Sequence, residues 1–127
     1  MVNKDEIIFS TTDPLGRKVV LYSSTWYGHI EKRDDIPEDM VEKLEEVKNT
    51  LENPYAIGKS FDNENREFYY AFDESYNKYT AVIVDFSQTP YFVVTTFKTQ
   101  RLKCKPFIYI NSIEYGTIIG KEENLEE

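Results

Sequence analysis

The chain has one cysteine, one histidine, one tryptophan and two methionines in 127 residues, with only five glycines and five prolines. The lone thiol, Cys104, excludes an internal disulfide. With His29 as sole imidazole, a metal site would need carboxylates from distant positions. No run reaches the ~18 apolar residues of a membrane span, and the opening MVNKDEIIFS has no apolar signal-peptide region. The expectation is a cytoplasmic protein with no membrane association, metal or cofactor. Positive charge is scarce as well: 15 Lys plus Arg stand against 23 Asp plus Glu, a net charge of −8. A globally positive surface is thereby excluded, and any phosphate-rich partner would have to be met by a local basic patch.

What the chain does have is aromatic residues, 15% of the total, concentrated after residue 54 beside β-branched residues, a bias toward strands. The length suits one domain that buries roughly two thirds of its unfolded surface. Along the chain, Asp13-Pro14-Leu15-Gly16 separates two extended runs and predicts an N-terminal β-hairpin. Ser23 to Thr25 offer caps for a short helix from Trp26 to about Arg33, in which Trp26, His29, Ile30 and Arg33 share one stripe. A second helix starts near Ile36-Pro37 and ends at Asn53-Pro54. Met40, Val41, Leu44, Val47 and Leu51 form its buried side, and Glu42, Glu45, Glu46 and Glu52 its solvated one.

From Tyr55 the pattern changes to strands: Tyr55 to Lys59, Arg66 to Phe72, Tyr79 to Phe86, Tyr91 to Lys98, Phe107 to Ile110 and Glu114 to Ile119. The polar, turn-forming separators between them predict an antiparallel meander whose middle strands are covered on both faces.

Two features carry chemistry. His29 has the only side chain suited to proton transfer at neutral pH, with Arg33 one helical turn away to act with it on one phosphate. The bland alternatives are a hydrogen-bonded core imidazole and an arginine in an ion pair. Lys98, Arg101, Lys103 and Lys105 form a basic run with no intervening acid. It is either a solvated loop or a grip on a phosphodiester backbone, with neighbouring rings stacking on bases.

The ordered string Asp13-Pro-Leu-Gly-Arg-Lys-Val-Val-Leu21, Trp26-Tyr-Gly-His29-Ile-Glu-Lys-Arg33, Leu44 to Pro54, Arg66-Glu-Phe-Tyr-Tyr70, Tyr79 to Val84 and Phe92-Val-Val-Thr-Thr-Phe97 resembles the phage and mobile-element branch of the barnase, EndoU, colicin and RelE-like nucleases. The resemblance covers about residues 13–105. It implies an α+β fold, with an N-terminal β-hairpin and two helices packed on one side of a mostly antiparallel four- to five-stranded sheet. The other side would receive RNA. A single nuclease-like domain would span 1–120, followed by an acidic tail over 121–127.

The resemblance also implies a catalytic set of His29, Arg33, Arg66, Tyr70 and Thr95, in which Arg66 and Tyr70 match an Arg-x-x-x-Tyr strand and Thr95 the threonine of a late strand. Lys98, Arg101, Lys103 and Lys105 would bind RNA, and a protein inhibitor of antitoxin or immunity type is a further expected partner. The chain departs from the pattern at Asp34, where a second histidine is common, and in the extension from Pro106 to Gly120. The implied activity is metal-independent RNA cleavage by 2′-hydroxyl attack. The rival expectation, motivated by net charge and Asp34, is a non-catalytic binding module: a degenerate nuclease relative or an acidic interaction protein.

Overall fold

Asp13 organises the first turn. Its Oδ1 accepts the N–H groups of Leu15 and Arg17 at 2.9 and 2.8 Å. Gly16 donates its N–H to the Asp13 carbonyl at 2.9 Å and adopts a φ of +86°, a left-handed conformation that is unstrained only without a Cβ. The turn joins β1 (Ile7–Thr12) to β2 (Lys18–Tyr22) in an antiparallel hairpin. The structure, a computed structural model, describes residues 6–30, 40–102 and 107–111, without the side chains of 29–30 and 40–42.

After β2 come a single α-helical turn, α1 (Ser23–Thr25), a π-helical turn (Trp26–Ile30) and a longer helix, α2 (Met40–Glu52). The strands β3 (Ala56–Lys59), β4 (Arg66–Asp73), β5 (Lys78–Asp85), β6 (Tyr91–Thr99) and β7 (Phe107–Ile110) follow. All seven strands form one sheet in the order β1-β2-β6-β5-β4-β3-β7. Every pairing is antiparallel except β2 with β6, which run parallel with Val19 opposite Tyr91 and Val20 opposite Phe92.

This corrects the expected architecture of two helices on a four- to five-stranded sheet. The protein is mostly sheet, with seven strands in mixed orientation and two short helices among the described residues. The reason lies in β2. Val19, Val20 and Leu21 are consecutive, apolar and all at most 2% exposed, so this strand needs cover on both faces. Such a strand suits the interior of a sheet better than its edge, and pairing with β6 places β2 there. At the other edge β7 extends the sheet by pairing with β3. Over the described part of the helix expected from Trp26 to Arg33, residues Trp26–Ile30 form the π turn, preceded by α1. Arg33, Asp34, the start of the second helix at Ile36-Pro37, Cys104, the strand at Glu114 to Ile119 and the acidic tail lie outside the described residues.

One face of the sheet carries α2, which packs against β1, β4 and β5. Val47 and Leu51 of α2 are fully buried with Trp26, Val19, Leu21, Ile57, Tyr69, Val82, Val84 and Val93. Each such side chain contributes roughly 1.5–3 kcal/mol of apolar burial. Cross-strand register fixes the other face: Tyr70, Ala81 and Phe97 form one row, and Phe68, Ile83 and Thr95 the next row on that side. Here Phe68 stacks on Tyr70 with ring centroids 5.9 Å apart, and Tyr79 meets Tyr70 edge-on at 6.3 Å. No helix among the described residues is long and apolar enough to cross a membrane.

Asp13 does more than shape its turn. Its Oδ2 takes a hydrogen bond from Arg17 Nε at 2.9 Å and from the Tyr69 hydroxyl at 2.6 Å. Arg17 Nη2 donates onward to Glu67 Oε1 at 2.8 Å, and the guanidinium lies 4.4 Å from the centre of the Phe86 ring. Burial pushes the Tyr69 phenol above its ordinary range, and its hydrogen bond to Asp13 reinforces this against the opposing charge of Arg17. The phenol therefore stays protonated and ties β4 to the first turn. Asp13→Ala is expected to cost about 3 kcal/mol in urea unfolding, because it takes the acceptor from Arg17 Nε, the Tyr69 hydroxyl and two backbone donors. Lys18→Ala, at an exposed position, should stay within about 0.5 kcal/mol.

Candidate functional site

The residues expected to act together divide between the two faces of the sheet. Strand alternation places Arg66 and Tyr70 on the face away from α2, because both share the parity of Phe68. Thr95 joins them there through the Phe68–Ile83–Thr95 row. By strand spacing and rise, the three backbone positions form a triangle with sides of roughly 12–13 Å. That is too wide for one phosphate group.

Their environments differ. Arg66 is 38% exposed at its side chain and donates from Nε to Asp85 Oδ2 at 3.0 Å. Asp85 also accepts from the Ser87 hydroxyl and, at 2.8 Å, from the Ser87 N–H. The Ser87 hydroxyl chiefly holds the Asp85 carboxyl below its usual range, and Arg66 adds to that. Thr95 is half-buried. Tyr70 is fully buried between Phe68 and Tyr79, so its ring supports the aromatic layer and has no open face for a base.

The π turn that carries His29 packs against β6, the strand of Thr95. Trp26 anchors this turn by full burial in the core, and its Nε1 has no hydrogen-bond acceptor among the described residues. The His29 side chain, Arg33, Lys103 and Lys105 lie outside the described set. Arg101 is exposed just past β6, where its N–H donates to Thr99 Oγ1 at 3.2 Å and its carbonyl accepts from the same hydroxyl at 3.1 Å.

Lys98 sits on the opposite face, in the row with Thr80 and Ala71. Its ammonium donates to Glu46, to Asp73 Oδ2 at 2.7 Å and to Thr80 Oγ1 at 2.7 Å, which uses all three of its protons. Glu46 also accepts from Thr80 and, at 3.0 Å, from Lys43 Nζ. Burial alone would raise the Glu46 carboxyl, but hydrogen bonds from Lys98 and Thr80 and the charge of Lys43 outweigh it and hold it down at about 2.

Lys43, Glu46, Asp73 and Thr80 of this cluster line a cleft of about 460 Å³ between α2 and the β4–β5 turn, walled on the turn side by Phe72 to Tyr76. Two features here were not read from the sequence. Glu46, assigned to the solvated side of its helix, turns inward, and so does Glu52, which accepts from Thr11. Lys43 is buried to 1%. Lys43, Glu46 and Thr50 follow the same three-and-four spacing as Val47 and Leu51, and that polar stripe was the available signal.

Among the described residues, no three His, Cys, Asp or Glu side chains are grouped to hold a metal ion. In comparisons with protein-family models, curated proteins and solved structures, nothing matched this chain.

The Glu46 cluster has a pH signature. The carboxyl falls from its ordinary 4.5 to about 2 on folding. Its stabilising contribution is therefore complete above about pH 4.5 and disappears as the pH drops through 2. Glu46→Gln should be less stable than the parent in urea at pH 6, and the gap should narrow steadily toward pH 2.5. A gap independent of pH would contradict the assigned ion pairs.

Proposed function

We propose that the protein is a metal-independent endoribonuclease related to the barnase, EndoU, colicin and RelE-like group, working on the sheet face opposite α2. The observation that carries this reading is the placement of Arg66, Tyr70 and Thr95 on that one face. RNA supplies its own nucleophile. Its 2′-oxygen bonds to phosphorus as the bond to the 5′-oxygen breaks, leaving a 2′,3′-cyclic phosphate and a 5′-hydroxyl. The protein has to take the 2′-proton, neutralise the phosphoryl oxygens and return a proton to the leaving oxygen.

In this reading His29 is the proton-transfer group, Arg33 and Arg66 stabilise the developing charge, and Thr95 donates a hydrogen bond to phosphate. Tyr70, enclosed by its neighbours, serves by fixing the aromatic floor beneath the substrate. Arg101 holds backbone phosphate where the chain leaves β6, together with Lys103 and Lys105. Lys98, saturated by Glu46, Asp73 and Thr80, supplies no free charge to RNA.

A second reading is favoured by the Arg66–Asp85 pair, which already neutralises the guanidinium. It makes the protein a non-catalytic binding module on the same scaffold. Incubating the protein, His29→Ala and Arg66→Ala with mixed RNA in chelator separates the two. The nuclease reading expects cyclic-phosphate products from the parent, a loss of about 10²-fold or more in both variants, and intact DNA of matching sequence. Equal cleavage by parent and His29→Ala overturns the assigned role. Intact RNA throughout, with recovery of one stoichiometric protein partner and no RNA, supports the binding module.

A further inference from the structure

We propose that Asp85 and Ser87 are positioning residues for Arg66: they hold its guanidinium by Nε and leave the two terminal nitrogens as a fork for one phosphoryl group of an RNA strand. That the phosphoryl group belongs to RNA rests on the nuclease reading above. The fork itself rests on hydrogen bonds and exposure.

The bracing begins in the backbone. Arg66 opens β4 opposite Asp85, the last residue of β5. Its N–H donates to the Asn63 carbonyl and its carbonyl accepts from the Ser60 N–H, both at 3.0 Å. Two residues beyond Asp85 the chain turns back, and the Ser87 N–H and hydroxyl both reach Asp85 Oδ1, at 2.8 and 2.5 Å. Oδ2 is left to face Arg66 and accepts from Nε at 3.0 Å. A carboxylate held at both oxygens resists rotation and steadies the guanidinium plane bonded to it.

The other described arginines show what is particular here. Arg17 gives Nε to Asp13 and Nη2 to Glu67 and Tyr69, so its donors are spent inside the protein. The Arg101 side chain has no hydrogen bond or ion pair among the described residues, which leaves it available but unaimed. Arg66 combines the two conditions. Nε is committed to Asp85, and neither terminal nitrogen has a hydrogen-bond partner among the described residues.

The pair sums to zero charge, yet its two ends are not equally accessible. The Arg66 side chain is 38% exposed and that of Asp85 9%, so the guanidinium is the outer end. An anion seated on the terminal nitrogens lies nearer the guanidinium than the carboxylate, and attraction exceeds repulsion at contact. Two parallel N–H groups suit an oxyanion that offers two oxygens, as a phosphoryl group does. Holding the sheet together does not require this pair, because β4 and β5 are already registered along the whole ladder from Arg66–Asp85 to Asp73–Lys78, and so exposed an ion pair adds little stability.

The test is a double-mutant cycle read by binding of a short 2′-O-methylated oligouridine, which lacks the attacking hydroxyl and stays intact whether or not the protein is a nuclease. Asp85→Ala removes the same charge from the parent and from an Arg66→Ala background, so charge alone strengthens binding equally in both. Positioning acts only where Arg66 is present, and there Asp85→Ala should bind about tenfold more weakly than the background effect predicts. Ser87→Ala, at an exposed position and with no change of charge, should weaken binding by about threefold only when Arg66 is present, and it carries the same cycle should Asp85→Ala not fold. The Arg66 Nε–H NMR signal should be resolved in the parent, move on addition of the oligonucleotide and merge with the averaged arginine signals in Asp85→Ala. A signal that stays in place during the titration, or a cycle without coupling, overturns the fork. The RNA-cleavage assay reads the other claim separately. Coupled binding in a protein that leaves RNA intact upholds the fork and removes the nuclease. RNA cleavage that His29→Ala abolishes, with no coupling between Arg66 and Asp85, does the reverse. Where both hold, Asp85→Ala should lower kcat on RNA more than it changes KM, because aim matters most in the transition state.

Discussion

The parallel pairing of β2 with β6 is the constraint from which the rest of the architecture follows. Three consecutive apolar residues, Val19 to Leu21, are buried on both faces, and β2 lies between β1 and β6 rather than at an edge of the sheet. The pairing joins the N-terminal hairpin to the meander of β3 to β6 and turns a small antiparallel sheet into a seven-stranded mixed one. It also directs the chain leaving β2 along the side of β6, where Trp26 enters the core and the His29 turn comes to rest. A parallel neighbour requires a long crossover, and here the crossover consists of everything from α1 to β5.

Charge follows a second logic. A chain with net charge −8 does not leave its interior cations unmatched. Arg17 is held by Asp13 and Glu67, Lys98 by Glu46 and Asp73, and Lys43 by Glu46. Such buried pairs contribute little net stability, since desolvation offsets most of the attraction. Their effect here is register. Lys98 and Thr80 on the sheet meet Glu46 on α2, so the helix cannot slide along its apolar seam without breaking the hydrogen bonds that tie Glu46 to both. The first turn is fixed to β4 in the same way, through the Tyr69 hydroxyl and Arg17.

The strands after residue 55 were legible because their signal is local. Alternation, β-branched content and polar turns lie within each segment, and β3 to β7 begin and end within a residue or so of the boundaries read from them. The turn at Asp13 to Gly16 was legible for the same reason. The β2–β6 ladder was not, since its partners lie about seventy positions apart and nothing in either strand names the other. The inward turn of Glu46 was missed because glutamates on an amphipathic helix read as solubility. Lys98 was grouped with Arg101, Lys103 and Lys105 because adjacency in sequence looks like adjacency in space. In the structure Lys98 turns to Glu46, Asp73 and Thr80 on the α2 side, whereas Arg101 is exposed past the end of β6.

Strand alternation makes β6 the element that serves both faces of the sheet. Thr95 and Phe97 face the side away from α2, whereas Thr96 and Lys98 face α2. The strand runs roughly 13 Å from Thr95 to Thr99 and ends beside Arg101, which belongs to neither face. The Lys98 ammonium is committed to Glu46, Asp73 and Thr80 on the α2 side, whereas Arg101 is exposed. One strand thus spends its last inward cation on holding α2 in register and leaves the next one to solvent, and the acidic surface of α2 makes the helix-bearing face the less favourable approach for a polyanion.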